Sequence, residues 1–565
     1  MNNKFFYSLF IIAYSNVSAQ KDVNAKIIID ENANLQITQN FKPNNKNIYL
    51  FPKYISLNDT SVKFIADETA NFSSYEIENV DQVNFALNSD KAFFSNDFFI
   101  TTSRYLGTNK NEFFKEKKFD LDIISKKYKI IYPSNEDLKQ KFISEPVIVG
   151  GNFKLVENKG FKIYYLEKET KLSELIKGSD EMEKAFEMYK NYFGNKDKPT
   201  IVFAPIDGRS ITNEGIIIYN NKSLKKEFST TISHEIGHIW FGEDGVIFRE
   251  NLLTEGFTEF LALNYLTSKY GEDKVEKIIK EKYYATEGLK NFTDINMKVS
   301  DKQKADILSY SLLPLFLHSK QKKDKNFINI VADFYKYKNQ NRKTSLDELN
   351  YYLQSKGLET LFTDKIPDFF ISPCNSSNVC IYSTSEKNID VEVDYISNNN
   401  EKSRKVINIT NKSPQVLDTE KIKKIIVDPN YKIQQVSRLN DIWNNDEDNI
   451  FNKNRYFDIK ILNPEIAKIS NDVANFFTSQ ENIGILKSII VNEEQRKIID
   501  NLKEKFLKSS NTLLTGAVTS FAENKNIIFL AFAFYDELKT ETNVLKFSLK
   551  LDEKHSKLES VKIYE

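Results

Sequence analysis

The chain has 565 residues, with Lys+Arg and Asp+Glu both at 79, so its formal net charge is zero. Hydrophobic residues at 40% and charged residues at 28% describe an ordinary globular protein long enough for several domains. The balance excludes a field that would draw it to nucleic acid or to an anionic membrane, so neither is expected as a partner.

Residues 1–19 have the three parts of a secretory signal peptide. Lys4 precedes an apolar run from Phe5 to Tyr14, and Val17-Ser18-Ala19 offers a small-residue cleavage site. The run is shorter than the roughly 20 residues that span a bilayer, and no later stretch is apolar for long enough. Export to the periplasm or the exterior is therefore expected, with no membrane span.

From 20 to 140 short runs with partial alternation predict a β-rich domain, among them Val23–Thr38, Ile48–Leu57 and Phe98–Thr102. Over 141–370 the texture becomes mixed. Strand-like runs lie at Phe161–Tyr165, Thr200–Ala204 and Gly215–Tyr219, with a helical pattern over Leu172–Tyr192. Apolar spacings of three and four then predict helices over Leu252–Tyr270, Val275–Tyr284, Ile307–Lys320, Asn326–Tyr335 and Leu346–Ser355. A small β domain is expected over 371–440, a linker over Asn440–Asn454, and an α+β appendage of unknown role over 445–565. Its helix is placed at Asn482–Leu507 and its strands at Leu514–Ala522, Ile527–Tyr535 and Val544–Leu551. The only cysteines, Cys374 and Cys380, are close enough in sequence to form a local disulfide in an exported protein.

Two of the four histidines fall in His234-Glu235-Ile236-Gly237-His238. On a helix, residues i and i+4 share a face about 5–6 Å apart, so two imidazoles can converge on one ion. The glutamate after the first histidine is placed to take a proton from activated water. A catalytic zinc site needs three protein ligands and one open position. Glu255 and Glu259, themselves i and i+4, are both candidates for the third ligand. His318 and His555 stand alone and are expected to be solvated.

The run His234-Glu235-Ile236-Gly237-His238-Ile239-Trp240-Phe241-Gly242, followed by Leu252-Leu253-Thr254-Glu255-Gly256-Phe257, resembles the aminopeptidase N family of gluzincin zinc metallopeptidases. The resemblance is strong over about 205–320 and implies a multidomain α+β architecture. In it an N-terminal β-rich domain precedes a thermolysin-like (gluzincin) catalytic domain of mixed sheet and helices, a small β domain and the appendage. It also implies one Zn2+ per chain held by His234, His238 and Glu255, with Glu235 as base. Sixteen residues separate His238 from Glu255, a slightly shorter connection than the family's usual one. Glu250 lies where the family often has an acidic residue that orients a histidine ligand. Tyr310 falls where the family's oxyanion-stabilising tyrosine belongs, without the Lys-Gly that commonly follows it.

One departure concerns substrate end-group recognition. Thr212 occupies the position of the family's glutamate that binds the substrate's free α-amino group, and Glu214 is the nearby carboxylate that could replace it. The expected function is an exported zinc peptidase acting on peptide or protein substrates, an aminopeptidase by resemblance. The alternatives are an endopeptidase on the same chemistry, or a binding or scaffold protein with a relict site.

Overall fold

The computed structural model describes residues 23–286, 308–339, 343–358, 366–373, 378–438, 441–444, 491–509, 512–513, 518–522, 526–536, 541–554 and 556–564. Short gaps lie at 42–46, 54, 58–61, 69–71, 79, 88–91, 102–104, 113–114, 207–209, 222–227, 243–244, 249–250, 419 and 437. The signal-peptide segment, Glu250, Cys374, His555 and most of the expected linker lie outside the described residues. The chain is a multidomain α+β protein whose residues fall into two compact units.

The first unit holds residues 1–173 and 198–221. Val23–Ile29 alternates buried and exposed positions, as a strand with one face on a core must. It pairs parallel with Lys117–Ser125 and antiparallel with Leu35–Asn40 in a six-stranded sheet. Ile27, Leu35, Phe51 and Phe85 fill its core. A second sheet of mixed direction runs Lys154–Asn158, Phe161–Tyr165, Thr200–Ala204, Ile216–Asn220 and Ile211–Asn213. Its three middle strands are parallel. Ile216–Asn220 is buried at every position, the pattern of a strand covered on both faces. By their contacts these strands group with the first unit.

Residues 174–197 and 222–565 form the second unit. Helix α1 (Leu172–Phe193) buries Met182, Ala185, Phe186, Tyr189 and Phe193 along one stripe. Next come α2 (Phe228–Gly237), α3 (Asn251–Tyr270) and α4 (Glu272–Ala285). A π-helical turn at Leu308–Leu312 leads directly into α5 (Leu313–Lys323), and α6 (Phe327–Lys338) and α7 (Leu346–Ser355) follow. Gly256 lets α3 and α5 approach closely, because a Cβ there would lie 2.2 Å from Leu313 Cδ2. His318, expected in solvent, faces inward on α5 and is only 6% exposed. Its Nδ1 has no hydrogen-bond partner among the described residues.

Beyond the helices, Ile389–Ser397 pairs with Lys402–Ile409 and Ile422–Val427, and a neighbouring sheet is built on Phe369–Pro373 and Asn378–Ser383. Ile442–Asn444, inside the expected linker, adds an edge strand that buries Trp443. Cys380 is disulfide-bonded. The appendage begins with α8 (Glu493–Ser509). Asn492 and Gln495 cap it reciprocally, each side chain accepting from the other's backbone N–H at 2.8 and 3.2 Å. An antiparallel sheet follows, closed by Leu558–Tyr564, a strand beyond those expected from the sequence. No helix among the described residues is long and apolar enough to cross a membrane.

Candidate metal centre

The centre is built on α2 and α3. Tyr189 of α1 donates to the Ser233 carbonyl at 3.1 Å and so fixes the start of the histidine motif. Past Gly237 the helix tightens, with His238 N–H bonding Glu235 O and Trp240 N–H bonding Gly237 O. His238 therefore sits in this closing turn rather than in regular helix. Trp240 anchors the turn from below. It is fully buried among Phe186, Tyr189 and Phe193, and its Nε1 donates to Gly194 O at 3.1 Å. The chain then folds back so that Phe241 O accepts from His238 Nδ1 at 3.0 Å. Only glycine fits next, because a Cβ on Gly242 would lie 2.7 Å from His238 O.

These constraints turn both Nε2 atoms toward α3. His234 Nε2 lies 3.2 Å from His238 Nε2 and 3.3 Å from Glu255 Oε2, and the third edge, His238 to Glu255, is 3.7 Å. A tetrahedral zinc with bonds of 2.0–2.1 Å places its ligand atoms about 3.3 Å apart. The triangle fits that ion, and these three residues are the group of metal-ligating side chains found among the described residues. With two imidazoles and one carboxylate, a tetrahedral ion would keep a fourth position open.

Glu259, one turn beyond Glu255, does not join the triangle. Its Oε2 accepts from His234 Nδ1 at 2.8 Å, which fixes the ring and directs Nε2 toward Glu255 and His238. Glu259 thus makes the contact of an orienting carboxylate, while Glu250, expected in that role, lies outside the described residues. Its other oxygen takes Lys282 Nζ of α4 at 2.5 Å. No sequence motif marks Lys282. Tyr310, in the π-helical turn, brings its hydroxyl to Glu255 Oε2 at 2.6 Å and its ring to 5.7 Å from that of His234. Glu235 is 7% exposed beside the first histidine.

Electrostatics follow from that crowding. Burial works against a charge on His234, but hydrogen bonds to Glu255 and Glu259 and the charges of Glu259 and Glu235 outweigh it, raising its pKa to about 10. Burial likewise opposes ionisation of Glu255, yet the two histidines hold it well below the usual carboxylate range. Glu259 is lowered to about 2 against its burial, chiefly by the Lys282 charge. The two carboxylates thus favour a positive charge at this point, whether a proton on His234 or a metal cation.

Glu214 is placed quite differently. It is 3% exposed, and its Oε2 accepts from the backbone N–H groups of Ile143 and Ser144 at 2.6 and 3.0 Å inside the first unit. Thr212 lies on the edge strand Ile211–Asn213, opposite Ile217.

No family model matches the sequence, and no curated protein matches it. Solved structures do. Yeast LTA4 hydrolase is 12% identical, with 59% of this chain and 65% of that chain covered at a TM-score of 0.43. An aminopeptidase N family protein from Idiomarina loihiensis is 10% identical, with 59% and 73% covered at 0.45. An M1 zinc metallopeptidase from Deinococcus radiodurans is 12% identical, with 60% and 89% covered at 0.38. The chain thus spans 65% of the length of the yeast LTA4 hydrolase that it resembles. At this likeness the chemistry of the donor set, not the match, has to carry a function.

Proposed function

We propose that this chain is a zinc-dependent peptidase of the aminopeptidase N type that hydrolyses peptide bonds. One observation carries the reading. Three ligand atoms stand 3.2–3.7 Å apart, in the spacing a tetrahedral zinc requires, with Glu235 next to the first of them. When bound, zinc supplies a Lewis acid that polarises the scissile carbonyl and makes water a nucleophile at neutral pH. Glu235 takes the proton from the attacking water and returns it to the leaving amine. Tyr310 turns its hydroxyl from Glu255 to the developing oxyanion, and His234 is held in its ligating orientation by Glu259.

The resemblance favours an aminopeptidase. A second reading, an endopeptidase on the same chemistry, is favoured by Glu214, whose carboxylate already accepts two backbone N–H groups. Hydrolysis of matched free-amine and N-acetylated peptides by the zinc-loaded protein separates them. Cleavage of the free-amine series alone supports an aminopeptidase, and equal cleavage of blocked peptides supports an endopeptidase. Hydrolysis of neither series, with zinc bound, would sink both.

Export is proposed on Lys4, the apolar run after it and Ala19. A disulfide-bonded Cys380 suits an oxidising compartment. N-terminal sequencing of protein recovered outside the cytoplasm should begin at Gln20, and a chain retained inside with Met1 intact would contradict it.

A further inference from the structure

We propose that Lys282 is the positioning residue of this centre, one ammonium that sets the orienting carboxylate of a metal-ligating histidine and the backbone of Tyr310 together. The inference rests on the peptidase reading above. Lys282 is on the last turn of α4 with its side chain only 12% exposed, and its Nζ lies 2.5 Å from Glu259 Oε1 and 2.6 Å from Tyr310 O. Glu259 is therefore gripped at both oxygens by different donors, Lys282 on Oε1 and His234 on Oε2. A carboxylate bound at one oxygen can swing about that bond, whereas one bound at both has its plane fixed. The imidazole it meets at 2.8 Å inherits that orientation.

The second contact reaches the tyrosine. Leu308–Leu312 is a π-helical turn, in which the carbonyl ladder is out of step with the helix that follows. Lys282 takes the Tyr310 carbonyl at this irregular point, while the same residue's hydroxyl reaches Glu255 Oε2 at 2.6 Å. The two chemical components of the centre, a ligand triangle and a hydroxyl donor, come from segments far apart in sequence. Lys282 reaches the first through Glu259 and His234, and the second at the Tyr310 carbonyl.

Its own backbone is held from behind. The next residue, Tyr283, is buried; its hydroxyl approaches Ile433 O at 3.3 Å and the Arg438 guanidinium lies 4.3 Å from its ring. Arg438 is in turn paired with Asp428 and Asp441, each at 2.8 Å. The end of α4 is thereby attached to the β domain, and Lys282 projects from a fixed base.

The test uses the full chain as wild type, Lys282→Met, Lys282→Arg, Glu259→Gln and the Lys282→Met/Glu259→Gln double variant. Zinc affinity is read by competition with a chromogenic chelator, and kcat and KM are read on the peptides the wild type cleaves. Lys282→Met should weaken zinc about 10–100-fold and lower kcat by a similar factor, with KM within about two-fold, and Lys282→Arg should recover part of both. The double variant should bind zinc no more weakly than the worse single variant, because both act through one carboxylate. Wild-type zinc affinity in Lys282→Met, or losses that multiply in the double variant, would overturn the proposal. So would a lowered melting temperature as the sole change, which is what a merely structural lysine would give. Should Lys282→Met not fold, Lys282→Gln and the visible spectrum of the cobalt-substituted protein replace it, with an unaltered spectrum and affinity counting against the role. Zinc bound by the wild type without peptide turnover would refute the peptidase reading instead, and the affinity comparison would still decide the role of Lys282.

Discussion

Glu259 Oε2 lies 2.8 Å from His234 Nδ1, the ring nitrogen that does not face Glu255. That contact makes Glu259 an orienting residue rather than a ligand. Glu259→Ala should weaken zinc binding about 10–100-fold and leave one zinc per chain at saturation. Glu255→Ala should abolish stoichiometric binding under the same conditions. Equal losses from the two variants, measured by metal titration, would contradict the division of roles.

Zinc binding should release a proton. Glu255 and Glu259 outweigh burial and raise the His234 pKa to about 10, so at pH 7.5 an entering ion should displace a proton from its ring. Affinity should rise with pH, by about ten-fold per unit while His234 is protonated. Calorimetry in buffers of different ionisation enthalpy would read about one proton released per zinc from this group. A slope of zero would mean that His234 is already neutral.

Tyr310→Phe removes the hydroxyl that reaches Glu255 at 2.6 Å and leaves the ring against His234. As the oxyanion donor, its loss should lower kcat by about 10²–10³ with zinc still bound. A kcat near that of the wild type would reduce Tyr310 to a partner of Glu255.

His318 should make the fold acid-sensitive. Burial first, and then the Lys322 charge, lower its pKa from 6.5 to about 4, so the folded chain keeps it neutral where the unfolded chain protonates it. Stability should fall as pH drops from 6.5 toward 4, by roughly 3 kcal/mol in all from this group. His318→Leu should lose less on acidification, seen as a smaller shift in the denaturation midpoint between pH 7 and pH 4.5. An identical shift in the variant would contradict the assignment.

The site's local part could be read directly from the sequence. The spacing of His234 and His238, and the Gly-Phe after Glu255, each lie within one short segment and need no distant contact to be recognised. What could not be read depends on contacts distant in sequence. Glu259 and Glu255 share a helix face, and only the approach of α2 assigns one to the ligand triangle and the other to Nδ1. Lys282 belongs to a separate helix, so no periodicity relates it to Glu259 or Tyr310. His318 shows the same limit, since a lone histidine among lysines reads as surface until α5 packs. Helix ends were legible over Leu346–Ser355, whereas the helix expected over Asn326–Tyr335 runs on to Lys338 and that over Val275–Tyr284 begins at Glu272. The strand Ile442–Asn444, in contrast, is polar and charged on both sides and is identified only by its partner Ile422–Val427.

The central claim is that His234, His238 and Glu255 hold a zinc whose chemistry Glu235 drives. Glu235→Gln keeps the shape of the side chain and removes the base. The most direct measurement is zinc content and peptide hydrolysis of this variant beside the wild type. One zinc in each protein, with hydrolysis in the wild type and a loss of several orders of magnitude in the variant, is the predicted result. Undiminished hydrolysis by Glu235→Gln, or hydrolysis by wild type stripped of metal, would contradict it.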